Sequence, residues 1–166
     1  MIMDQQAAQG EPITIFGDGR QVRDLLYIGD LLDALVRAEE CLPAISGEAF
    51  NIGDTKPLTQ VEVVEKMAKV ANADVVLARV PRDVIVSMGG SVLEEPYYFG
   101  EYFDLPPITM NIGKVTRMLK MKLTPFEIGL KETYRWYLRN HKPRTSGFEF
   151  DDKLLVLAKT GSPASV

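Results

Sequence analysis

The segment from Ile13 to Asp30 constrains the fold more than any other part of the chain. Ile13-Thr14-Ile15-Phe16 has the apolar, β-branched character of a short strand, and Gly17-Asp18-Gly19-Arg20 is a turn. A strand followed by Gly-x-Gly opens like a dinucleotide fingerprint, but that motif needs a third glycine and a helix next. Val22 stands in the third glycine's place, and Val22-Arg23-Asp24-Leu25-Leu26-Tyr27-Ile28 continues as a second strand or extended segment. The small residues of the turn then leave Arg20, Gln21 and Arg23 facing a ligand. Arginine suits bidentate contact with phosphate, and glutamine adds an oriented hydrogen bond. The competing reading is a local ion pair of Arg23 with Asp24 beside a hairpin. The residues alone balance the two.

Around this segment the pattern is α/β. Residues 1–10 resemble the end of a helix with Gly10 as its cap, and a domain beginning in mid-helix suggests a missing upstream part. Asp30 is placed to cap a helix carrying Leu31, Leu35, Ala38 and Leu42 on one stripe. Glu48 to Gly53 is expected as a short strand. Thr59 and Glu62 form a capping box, stapled by Leu58 and Val63, for a helix that buries Val63, Met67 and Val70 and ends near Asn72. Asp74 to Ala78 is expected as a strand. Thr124, Pro125 and Glu127 make a second capping box, with Phe126, Leu130, Tyr134, Tyr137 and Leu138 along one side of its helix. Residues 82–110 read as a loop rich in aromatics, suited to a lid, a docking surface or simple core packing. After Pro143, apolar residues from Phe148 to Leu157 fit one docking helix, and Lys159 to Val166 is expected to be disordered. The organisation is a lobe over residues 1–141 and a tail over 142–166.

Composition removes several chemistries. Among 166 residues there is one histidine, His141, and one cysteine, Cys41, so multi-histidine metal sites, zinc ribbons and internal disulfides are excluded. His141 sits in Arg139-Asn140-His141-Lys142-Pro143, a solvated helix end that suits no catalytic triad. Gly113-Lys114 lacks the upstream glycine and the following hydroxyl of a phosphate loop. A net charge of −4 provides no basic field for nucleic acid or anionic membrane. No apolar run reaches a membrane span, and the lone cysteine fits a reducing cytoplasm.

The block from Pro12 to Asp30 resembles a hallmark of the extended short-chain dehydrogenase/reductases, in particular the NAD-dependent nucleotide-sugar epimerases and dehydratases. Gly47-Glu48-Ala49-Phe50-Asn51-Ile52-Gly53 is similar to their next strand, Leu58-Thr59 to the opening of the following helix, and Thr124 to Tyr137 to their C-terminal helix. The resemblance implies that Arg23 contacts the diphosphate of a nucleotide-sugar, that Gln21 and Arg20 help shape that site, and that Asn51 borders the cleft.

The same resemblance exposes departures. The family binds NAD on an N-terminal Rossmann domain through Gly-x-x-Gly-x-x-Gly, and this chain has no glycines at that spacing. Its catalytic pair is Tyr-x-x-x-Lys, whereas the residues four after the six tyrosines here are Leu31, Glu101, Tyr102, Pro106, Leu138 and His141. Asn111 replaces the aspartate of the usual Asp-x-Ser-Lys. The stretch just before it, Leu105 to Met110, lacks the phosphate-binding arginine that many relatives have there, leaving Arg79 or Arg82 either to substitute or to be solvated surface charges. The expectation is therefore a small C-terminal substrate-binding lobe of short strands and three to four helices, without the Rossmann core. It would bind a nucleotide-sugar but neither cofactor nor metal by itself, and would carry no catalytic residue. NAD would belong to the intact enzyme, and the partner would be a Rossmann half or a second copy. The alternative is a stand-alone, non-catalytic binding or interaction module derived from that family.

Overall fold

The computed structural model describes residues 12–91, 107, 109–141 and 149–160. The expected helix end at 1–10 and the aromatic run at 97–103 lie outside the described residues. Among those described are four short strands and six helices, against the three or four helices expected. The chain divides into two compact units, one of residues 1–21, 59–106 and 141–166, the other of residues 22–58 and 107–140.

In the first unit, β1 (Ile13–Phe16) pairs in parallel with β4 (Leu77–Val80), Ile13 opposite Leu77 and Phe16 opposite Val80. The expected strand at 74–78 is thus displaced toward the C-terminus. Parallel partners need a long crossover, here containing α2 (Gln60–Ala71). Alternation along β1 turns Ile13 and Ile15 inward, where they pack against Val64 of α2. The capping box is as expected: Thr59 Oγ1 accepts the Glu62 N–H at 3.2 Å, and the Glu62 carboxylate accepts the Thr59 N–H at 2.8 Å. Asn72 ends the helix in the left-handed region. The buried face is a correction, however: Val64 is enclosed, while Val63, Met67 and Val70 are only half-buried. A second cluster joins Val80, Ile85 of α3 (Arg82–Ser87) and Leu154 of α6 (Glu149–Thr160). The tail therefore supplies a core helix, and Lys159 and Thr160 are helical rather than disordered.

In the second unit, α1 (Ile28–Glu40) and α4 (Gly113–Met118) contribute Ala34 and Val115 to a core completed by Ile45, Leu119 and Met121, and α5 (Phe126–Asn140) is the unit's third helix. The stripe expected on α1 is corrected. Ala34 and Ala38 face the core, while Leu35 and Leu42 are exposed. Ile28, Leu32, Leu35 and Val36, at i, i+4, i+7 and i+8, form an exposed apolar face. β2 (Val22–Arg23) and β3 (Leu58–Thr59) make a two-residue ladder.

Two expected caps serve another purpose. Tyr27, not Asp30, is the N-cap of α1, and Asp30 lies inside the first turn, where its buried carboxylate accepts the Thr124 N–H at 2.9 Å and hydroxyl at 2.7 Å. Thr124 thus spends its N–H and its hydroxyl proton on Asp30, and α5 starts at Phe126. Glu48 to Gly53 forms no strand. Side chains take its polar groups instead: Lys114 Nζ donates to the Ala49 carbonyl at 2.8 Å, and Asp24 accepts the Asp54 N–H at 2.7 Å.

Candidate functional site

The turn after β1 is built by glycine. Gly17 and Gly19 both have φ of 74°, and a Cβ on Gly19 would come 2.5 Å from Val61 Cγ2 and 2.9 Å from Ile15 Cγ2. The turn leads into β2, not a helix, so it presents no helix N-terminus to the pyrophosphate of NAD. It does not fit that cofactor.

The residues singled out in this region have different environments. Arg20 is exposed, its N–H donating to Asp18 Oδ1 at 2.8 Å and its guanidinium 3.7 Å from the same carboxylate. Gln21 is 6% exposed; its Nε2 donates to Gln60 Oε1, and its own Oε1 is buried without a partner. Arg79 Nε donates to the Asp18 carbonyl at 3.3 Å, so this arginine braces the turn. Arg82 is exposed at the start of α3.

In the second unit Arg23 is half-buried and, among the described residues, its side chain has neither a hydrogen-bond nor an ion-pair partner. The Arg23–Asp24 ion pair does not form. Asp24 Oδ1 accepts the Asp54 N–H at 2.7 Å and Oδ2 accepts the Met110 N–H at 3.0 Å. Gly53 lies so close that a Cβ there would meet the two carboxylate oxygens at 2.6 and 2.7 Å. Sequence reasoning missed this junction, although an acidic residue directly after the candidate anion ligand was a visible signal. Asn51 is exposed in the segment between the two anchors formed by Lys114 and Asp24. Lys114 also pairs with Glu48 and lies 5.1 Å from the Phe50 ring centroid. Asn111 spends its Oδ1 on the Gly113 N–H, 3.0 Å away, at the start of α4.

At the start of α1, the Tyr27 ring lies between Gly29 and Gly129, and its hydroxyl donates to Glu132. The Glu132 carboxylate, by accepting that proton, pushes the phenol above its ordinary pKa; partial desolvation and the charges of Glu132 and Asp30 act the same way. Among the described residues no group of acidic, histidine and cysteine side chains is arranged to hold a metal. No described helix is long and apolar enough to cross a membrane.

Residues 2–53, which contain the turn, Arg23 and Asp24, match the family model described as NAD dependent epimerase/dehydratase family. The chain belongs to that family. A dTDP-glucose 4,6-dehydratase of Neisseria gonorrhoeae is 31% identical over 148 residues, covering 86% of this chain and 39% of the relative. A UDP-N-acetyl-alpha-D-glucosaminuronate decarboxylase of Bacillus cytotoxicus is 26% identical over 132 residues, covering 79% of this chain and 37% of the relative. Among solved structures, UDP-glucuronic acid 4-epimerase from Bacillus cereus, in complex with UDP-glucuronic acid and NAD, superposes with a TM-score of 0.59 at 25% identity, covering 84% of this chain and 39% of that one. The chain spans less than two-fifths of the length of these relatives. A dehydratase, a decarboxylase and an epimerase share its pattern, so the family is common ground and the reaction is not.

Proposed function

We propose that this chain is the nucleotide-sugar-binding portion of an NAD-dependent epimerase/dehydratase, with Arg23 as the ligand of the diphosphate. The observation that carries this reading is the state of Arg23. It is a half-buried guanidinium without a partner among the described residues, beside a carboxylate already committed to backbone amides. Such a group gains most from a bidentate anion. Asn51, exposed on a segment of the same unit anchored at both ends, is the second residue of that site, while Arg20 and Gln21 belong to the other unit. The relatives named above act on dTDP- and UDP-sugars, which supports a nucleotide-sugar as ligand here.

The hydride chemistry of the family requires NAD and a Tyr-x-x-x-Lys pair, and we place both on a Rossmann domain outside these 166 residues. That domain, in the same or a separate polypeptide, is the partner we assign to the exposed apolar face of α1. A reducing cytoplasm is the compartment that suits this function.

Calorimetric titration of the purified chain with UDP-, dTDP-, GDP- and CDP-sugars, with NAD as the control, tests the reading. Binding of one nucleotide class that Arg23→Ala weakens about a hundredfold, the scale of a lost bidentate charged contact, is the expected result. Unchanged affinity in Arg23→Ala removes Arg23 from the site, and no binding by the wild-type chain overturns ligand capture by this portion alone.

A further inference from the structure

We propose that Asp24 is a positioning residue for the anion site at Arg23, a role that rests on the ligand-binding reading above. Its carboxylate ties together three stretches of the second unit: the end of β2, the Gly53–Asp54 bend and the backbone at Met110, the last of these 86 positions away in sequence. An ionised carboxylate shared between two N–H donors forms charge-assisted hydrogen bonds, stronger than neutral ones. Those bonds fix the backbone immediately after Arg23.

They also settle where the negative charge goes. An aspartate adjacent to an arginine is its natural neutralising partner, and a guanidinium so paired has little left for phosphate. Here both Asp24 oxygens are occupied by amides, and no Arg23–Asp24 pair forms. The junction thus does two things: it holds the Arg23 backbone still and keeps a competing anion off its side chain. Gly53 is part of the device, because any Cβ at that position would strike both carboxylate oxygens. The anchor at the other end of the same segment, Lys114 on Ala49, leaves Asp24 as the group that fixes its C-terminal end.

The test uses two variants of the whole chain, titrated with UDP and dTDP. Asp24→Asn keeps the shape but turns an NH₂ donor toward one of the two amides. Gly53→Ala leaves the charge in place and displaces the carboxylate. Each is expected to weaken nucleoside diphosphate binding about tenfold, the scale of one charge-assisted hydrogen bond. A purely structural role would weaken binding whether or not Arg23 is present, so the decisive readout is the cycle with Arg23→Ala. In that background neither variant is expected to lower the residual affinity further. Faster hydrogen exchange at the Asp54 and Met110 amides in Asp24→Asn, but not in Arg23→Ala, is the accompanying signature. Full wild-type affinity in both variants, or equal losses with and without Arg23, overturns the positioning role while leaving the binding site standing. Absence of any nucleoside diphosphate binding by the wild type overturns the site and the positioning role together.

Discussion

Thr124 donates both its backbone N–H and its hydroxyl to the Asp30 carboxylate, at 2.9 and 2.7 Å, across 94 positions of sequence. The carboxylate is buried, so its lone pairs must be satisfied by protein, and Thr124 does this at the entrance to α5 while Asp30 sits in the first turn of α1. One residue pair therefore sets where two helices of the second unit begin. Asp30→Ala is expected to lower unfolding free energy by about 2–4 kcal/mol, leaving the Thr124 amide and hydroxyl without their acceptor. Thr124→Val, which deletes the hydroxyl alone, is expected to cost about 1 kcal/mol. Urea denaturation of both variants measures the difference, and equal costs would mean that the carboxylate does not hold the amide.

Gly129 is a helical glycine at which alanine is expected to destabilise. In an ordinary helix interior the substitution gains up to about 1 kcal/mol. Here a Cβ would come 2.9 Å from two Tyr27 ring carbons and 3.1 Å from the Tyr27 Cβ, inside the packed contact between α5 and the residue that caps α1. A lower melting temperature for Gly129→Ala is the predicted outcome. In a Tyr27→Ala background the ring is gone and the penalty should shrink. A raised melting temperature in the single variant would show that the ring moves aside freely.

The contrast between α2 and α1 explains how much of this fold was legible. The limits of α2 were readable because Thr59, Glu62 and Asn72 act on backbone groups within a turn of themselves. Its buried face was not. Apolar residues at adjacent positions offer several stripes, and Ile13 and Ile15 of β1 select Val64 from outside the helix. Asp30 and Thr124 each have the chemistry of a cap, and each is taken by the other, a pairing that local spacing cannot reveal. Glu48 to Gly53 looks like a strand, yet Lys114 and Asp24 hold its ends with side chains. The family was legible because the Pro12–Asp30 block carries it in contiguous residues, and Arg23 was named from the same block. The amides that occupy Asp24 come from 30 and 86 positions away, so the reason why Arg23 stays unpaired was visible only in three dimensions.

The capping box of α2 provides a local check on the first unit. Thr59→Ala removes the acceptor for the Glu62 N–H and is expected to cost about 1 kcal/mol, read from denaturant unfolding. Glu62→Gln, which can still accept from the Thr59 N–H, is expected to cost less. If Thr59→Ala proves neutral, packing of Val64 alone holds the start of the helix.

The Tyr27–Glu132 pair predicts a signature at alkaline pH. Glu132 accepts the phenolic proton and raises the Tyr27 pKa above its ordinary value of 10.0, with desolvation and the Glu132 and Asp30 charges adding to the effect. The fold thus favours the protonated phenol, while the unfolded chain titrates at the ordinary value. The pair's contribution to stability is complete below that value and is lost as pH rises through the higher folded one, because only the unfolded state gains by releasing the proton first. Stability measured against pH should therefore fall more steeply on the alkaline side in the wild type than in Tyr27→Phe. Glu132→Gln, which removes the carboxylate charge, should bring Tyr27 back toward its ordinary value and flatten the slope. Coincident alkaline slopes for wild type and Tyr27→Phe would mean that the phenol titrates alike in the folded and unfolded chains, and that Glu132 does not hold its proton.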